Sequence, residues 1–95
     1  MKIIEEINSF INCGGIVLFK EYNITYKVKK LTLRNGHHIK IDCCQEDNNQ
    51  LHIFDYYLSQ FDELLEKLET HTVISYFFRI VKLKIKKFMK ARKND

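Results

Sequence analysis

"RNGHHIKIDCC", residues 34–44, decides the fold of this 95-residue chain. Asn35 and Gly36 accept positive φ angles, and such a pair between alternating apolar residues is the strongest short-range signal for a β-hairpin. Leu31 and Leu33 precede the turn; Ile39, Ile41 and Cys43 follow it. A two-residue loop would pair Leu33 with His38 and Leu31 with Lys40, mixing apolar and polar groups on one face. A three-residue loop, Arg34-Asn35-Gly36, pairs Leu31 with Ile39 and Leu33 with His37 and gathers all five apolar residues on one face. A one-residue slip turns every side chain over, so burial selects the three-residue loop with Gly36 left-handed.

Strand character extends outward from this hairpin. "IVLFKEY" (16–22) is rich in β-branched and aromatic residues, and a turn near Asn23 leads into "TYKVKKLTLR" (25–34). Tyr26 and Val28 share one parity while Leu31 and Leu33 share the other, which predicts a β-bulge at Lys29-Lys30. After the polar loop "QEDNNQ", "LHIF" (51–54) reads as a returning fourth strand.

The two ends read as helical. Ile3, Ile4, Ile7, Phe10 and Ile11 share one helical face, and Gly14-Gly15 provides the stop. A phosphate-binding loop would need a longer glycine spacing ending in Lys-Ser/Thr, which is missing. Phe54, Tyr57, Leu58, Phe61, Leu65 and Leu68 predict a helix over 55–69 with Asp55 as N-cap. "VKLKIKKF" (81–88) alternates like a strand over a few residues. The longer window favours a helix instead, with Ile74, Phe77, Phe78, Val81, Ile85 and Phe88 on one face expected to be buried in the core. Thr70-His71-Thr72 is a short connector, so these last two helices should pack antiparallel. The expected architecture is one α+β domain over residues 1–95, ordered α-β-β-β-β-α-α: a small antiparallel sheet of three to four strands, an N-terminal helix and a C-terminal helical pair. The basic segment 79–95 forms the end of the last helix and a short tail.

Charge is unevenly distributed. Residues 79–95 hold eight Lys and Arg against Asp95, net +7, while residues 1–78 hold eight basic and eleven acidic side chains, net −3. Arg79, Lys82, Lys86, Lys90 and Lys93 form a stripe that could follow phosphates or meet an acidic partner. The same stripe could equally be the solvated face of a structural helix, or be paired with Asp62, Glu63, Glu66 and Glu69 of the preceding helix. No established nucleic-acid-binding signature accompanies it. A membrane surface is disfavoured because the phenylalanines are assigned to the core.

Three cysteines, an odd number, give no disulfide framework. The first ten residues carry Glu5 and Glu6 where a signal peptide needs an apolar stretch. No uncharged apolar run approaches the ~18 residues of a membrane span. The expectation is a soluble cytoplasmic protein. Abundant Lys, Ile and Asn without Pro or Trp fits AT-rich coding sequence, as in many phages and mobile elements, and suggests an accessory or inhibitory protein in a host cytoplasm.

Chemistry-bearing clusters are sparse. His37, His38, Cys43 and Cys44 resemble a metal set, but six strand residues between His38 and Cys44 span roughly 20 Å, too far for convergence on one zinc ion. Cys43, Cys44 and His52 remain as weak metal candidates, and Cys43/His52 as a thiol–imidazole pair. Asp42, Glu46 and Asp47 surround that pair with negative charge, which opposes a reactive thiolate. No catalytic residue and no cofactor is implied. Tyr56 and Tyr76 fall off the predicted apolar faces and are candidate exposed protein contacts. The expectation is a non-enzymatic binding module whose first partner is a protein, with nucleic acid the alternative and a Cys/His metal site or thiol enzyme the second alternative. A homodimer through the edge of the first strand is a further arrangement.

Overall fold

The computed structural model describes the backbone of residues 2–93 and the side chains of residues 2–86. The elements are α1 (Lys2–Asn12), β1 (Ile16–Glu21), β2 (Ile24–Arg34), β3 (His38–Gln45), β4 (Leu51–Tyr57), α2 (Phe61–Glu66), β5 (Leu68–His71) and α3 (Val73–Lys93), with a 3-10 turn at Leu58–Gln60. The α+β class, the N-terminal helix and the two C-terminal helices stand as expected. The sheet, fully antiparallel, has five strands in the order β4-β3-β2-β1-β5 rather than three or four.

The β2–β3 hairpin keeps the expected faces but not the expected partners. Leu31 pairs with Ile41, Leu33 with Ile39 and Arg34 with His38, so the loop is Asn35-Gly36-His37. Asn35 (φ 53°) and Gly36 (φ 73°) are both left-handed. The bulge falls where predicted, between Val28 and Lys30. Upstream, Tyr22 and Asn23 both take positive φ, the pattern of a type I′ turn, and join β1 tightly to β2.

The segment 55–69 departs from its predicted helix. Residues 55–57 continue β4, since Tyr56 pairs with Ile39 and Tyr57 with His38. The helix begins only at Phe61, and the chain then returns as β5 along β1, pairing Ile16 with His71 and Phe19 with Leu68. The assigned connector 70–72 therefore holds the end of a strand. β1 has a neighbour on both sides, so its edge is closed to the dimer contact considered above. The sheet edges are β4 and β5.

One face of the sheet carries the main core. Val17, Phe19, Tyr26, Val28, Leu31, Ile39, Ile41, Cys43 and Tyr56 are buried there with Ile4 of α1 and Phe61 and Leu64 of α2. Burying a large apolar side chain contributes about 1.5–3 kcal/mol. α1 ends as predicted: Gly14 is left-handed (φ 94°), and a Cβ on Gly15 would lie 2.4 Å from the Phe10 ring. Ile3, placed on the helix's core face by periodicity, is exposed instead. Asn8, on the same helix, makes hydrogen bonds to both the N–H and the C=O of Leu31 at 2.9 and 2.8 Å. That carboxamide stands in for a strand beside β2.

A second polar link spans the sheet. Tyr56 of β4 donates its hydroxyl proton to the Glu21 carboxylate of β1, and Lys67 donates to Glu21 (3.0 Å) and to the Tyr56 oxygen (3.0 Å). In a flat sheet β4 and β1 would stand about 14 Å apart, so the contact requires the sheet to curl around its core. Tyr56, proposed from sequence as an exposed contact, is buried in this link.

Candidate functional site

The sequence places two residues at the start of α3 that fix its entry. Thr72 is the N-cap: its hydroxyl oxygen accepts from the Ser75 N–H at 3.1 Å. His71, the last residue of β5, lies 2.7 Å from the Ser75 hydroxyl through Nδ1 and 2.9 Å from Glu69 through Nε2. With the Nε2–H donating to Glu69, Nδ1 accepts from Ser75. This Ser–His–Glu set was not read from the sequence, because Glu69 and His71 were assigned to a helix and a connector. Its geometry resembles a nucleophile–base–orienter relay. The two backbone N–H groups beside the Ser75 hydroxyl are already engaged and are not free to serve as oxyanion donors. The Ser75 N–H is held by Thr72 Oγ1, and the Tyr76 N–H by the Thr72 carbonyl at 2.9 Å. The set orients the first turn of α3.

The seat of α3 is Glu46, just past β3. Its half-buried carboxylate accepts from the Tyr76 hydroxyl at 2.9 Å and from the Arg79 guanidinium at 2.5 Å. The Lys27 ammonium stands 5.3 Å from the centre of the Tyr76 ring. Burial, followed by the Glu46 hydrogen bond, pushes the Tyr76 hydroxyl up to about 12, so it stays a proton donor. Lys27 pairs with Leu18 and Cys44, both buried on the sheet face opposite α1. The first turns of α3 thus meet this second face.

That seat fixes the helix's rotation. At ~100° per residue, Tyr76, Arg79, Ile80 and Leu83 fall on the side toward the sheet. Ile74, Phe77, Phe78, Val81 and Ile85 fall within an arc of about 100° on the opposite side. Ile74 is 69% exposed, Phe77 63%, Phe78 58% and Ile85 53%. The expectation that this face is used in the core is overturned. α1 and α2 already cover the main core face, and the second face is met through Tyr76 and Arg79. Exposed residues Lys82 and Lys86 border the arc on one side and Lys84 on the other.

The predicted basic stripe divides. Arg79 is paired with Glu46 rather than with the acidic helix, whereas Lys82 and Lys86 are exposed and line an open groove of about 390 Å³ with Lys20, Glu69 and His71. The side chains of Lys90 and Lys93, and the tail beyond α3, lie outside those described. Tyr76 is half-buried against Glu46, not a free contact. Cys43 and His52 are cross-strand partners, as the sequence reading allowed, and the Cys43 thiol donates weakly to the His52 carbonyl at 3.6 Å. Burial, then Cys44 and Asp42, pushes that thiol up to about 11, the wrong direction for a nucleophile. Cys44 alternates to the opposite face. Among the described residues, no group of three or more His, Cys, Asp or Glu side chains is placed to hold a metal ion.

Comparison with known proteins returns no match to a family model, to a curated protein or to a solved structure.

Proposed function

We propose that the protein is a small non-enzymatic binding module that meets its partner through α3. The observation that carries this reading is the outward apolar arc of Ile74, Phe77, Phe78 and Ile85, held in place by an ionic seat on the opposite side of the helix. Each such side chain left in water forgoes about 1.5–3 kcal/mol of burial, and contiguous exposed apolar surface of this kind marks interaction sites. A cytoplasmic setting is supported by three free thiols, Cys13, Cys43 and Cys44. Nucleic acid fits the arc less well, because its aliphatic half offers no stacking surface and Arg79 is already paired.

Site-directed photocrosslinking in cells making the protein tests this. A photoreactive phenylalanine analogue at Phe77 should give partner adducts, and the same analogue at Tyr22, exposed on the β1–β2 hairpin, should not. Equal labelling at the two positions, or none at Phe77, would overturn the reading.

A further inference from the structure

We propose that the surface α3 meets is an anionic lipid membrane, on which the helix lies flat. This identifies the partner class of the α3 surface and rests on α3 being the contact element. From Val73 to Lys93 there is no acidic residue, and lysines border the apolar arc on both sides. An amphipathic helix with Phe, Ile and Val on one face and Lys on its borders has the composition that settles about 5–10 Å into the boundary between headgroups and acyl chains. The bordering lysines can run their methylene stems along that boundary and hold their ammonium groups at the phosphates.

Length and shape agree. Twenty-one residues make a rod of about 30 Å, and no described helix is long and apolar enough to cross a membrane. A helix of this charge lies along a bilayer rather than through it. The molecule extends 54 × 27 × 22 Å, and the seat on Glu46 turns the arc away from the sheet, so α3 can lie on a plane without unfolding the body. A second copy is a poorer occupant: two such arcs face to face would bring Lys82, Lys84 and Lys86 against their own kind with no acid on either helix to answer them. An acidic protein groove would match the lysines, but it would need a complementary apolar floor, whereas an anionic bilayer supplies both layers in the right order.

The chain has no tryptophan, so Phe77→Trp installs a single reporter. With vesicles of phosphatidylcholine and phosphatidylglycerol, its emission should shift to the blue and be quenched by brominated acyl chains; Tyr22→Trp should show neither effect. Affinity should be at least tenfold above that for phosphatidylcholine alone and should fall with salt. Lys82→Glu, Lys84→Glu and Lys86→Glu should each weaken binding roughly fivefold or more, and Phe78→Ser with Ile85→Ser should abolish it, with circular dichroism melts unchanged. Vesicle binding equal on both lipids, or indifferent to the Phe78/Ile85 pair, would overturn the proposal. Absence of vesicle binding with self-association lost in the Phe78/Ile85 variant, or with a protein adduct at Phe77, would overturn the lipid assignment and leave α3 as the contact surface. Absence of vesicle binding, self-association and adducts together would overturn both.

Discussion

Asn8 is a polar residue on the buried side of an amphipathic helix, and its two hydrogen bonds to Leu31 explain its position. Beyond Lys27, β2 outruns β1, and the carboxamide offers one donor and one acceptor to backbone groups that have no strand beside them. Asn8→Ala should cost about 1–3 kcal/mol, the penalty of leaving buried backbone groups unpaired. Asn8→Asp should also destabilise, because a carboxylate cannot donate to the Leu31 carbonyl. Urea unfolding of the two variants measures both, and a cost near zero for each would show that water replaces the amide. The interruption of an apolar face by Asn8 was visible in the sequence, but its partner was not: the bulge predicted at Lys29-Lys30 locates the irregular backbone without saying which element approaches it.

At the scale of elements, the seating of α3 on the second sheet face rests on the Glu46 carboxylate. Glu46→Gln removes the charge that accepts from Tyr76 and Arg79, a loss of about 1.5–3 kcal/mol for hydrogen bonds to a charged group, equivalent to tenfold or more in local opening. Amide exchange across residues 76–83 should accelerate accordingly, while exchange in β2 and β3 stays unchanged. Uniform acceleration through the whole chain would show that α3 is part of the global core. What the sequence leaves open also belongs to this scale. Burial could choose the faces of the β2–β3 hairpin, because a one-residue slip inverts them, but a two-residue slip leaves every face intact. The choice between pairing Leu33 with His37 and with Ile39 therefore fell to turn geometry. Over 55–69 the apolar spacing satisfied a helix, yet Phe54 and Tyr56 also satisfied a strand. The missed signal was β1 itself: Ile16-Val17-Leu18-Phe19 is an unbroken apolar run, the mark of a strand covered on both faces, and Val17, Leu18 and Phe19 are all buried. Such a strand sits inside a sheet more readily than at its edge, and β5 supplies the second neighbour. Helix periodicity at 73–93 was legible, but the surface receiving its apolar face was not, because periodicity carries no information about which direction is inward.

At the scale of the whole molecule, the Glu21–Tyr56–Lys67 link should govern how stability responds to pH. The Tyr56 hydrogen bond, and then Lys67, hold the Glu21 carboxyl below its ordinary value of 4.5 against the opposing effect of burial. A depressed carboxyl contributes stability that is present above about 4.5 and lost as pH falls through the folded value. Lys67 is raised above its ordinary 10.5, first by Tyr56 and then by Glu21, so its contribution is full below 10.5 and fades only as pH climbs through the folded value. Tyr56 is likewise raised above its ordinary 10.0, first by burial and then by Glu21. The link's contribution should therefore be flat between the ordinary values of 4.5 and 10.0 and fall on the acid side first. Tyr56→Phe should lower the urea midpoint at pH 7, and its gap from the wild type should narrow below pH 4. A gap that stays constant down to pH 2 would mean that the hydroxyl acts through packing alone.

The pairing of β5 with β1 has a consequence in time. β1 through β4 form a meander of neighbouring hairpins, whose short loops close at little entropic cost. β5 must find β1 across more than half of the chain, the kind of distant contact that slows folding. Because α3 follows β5 after one intervening residue, its first turn is anchored only when that slow pairing is complete. The sheet's last closure thus sets the earliest moment at which a newly made chain can present its outward helix from a finished body.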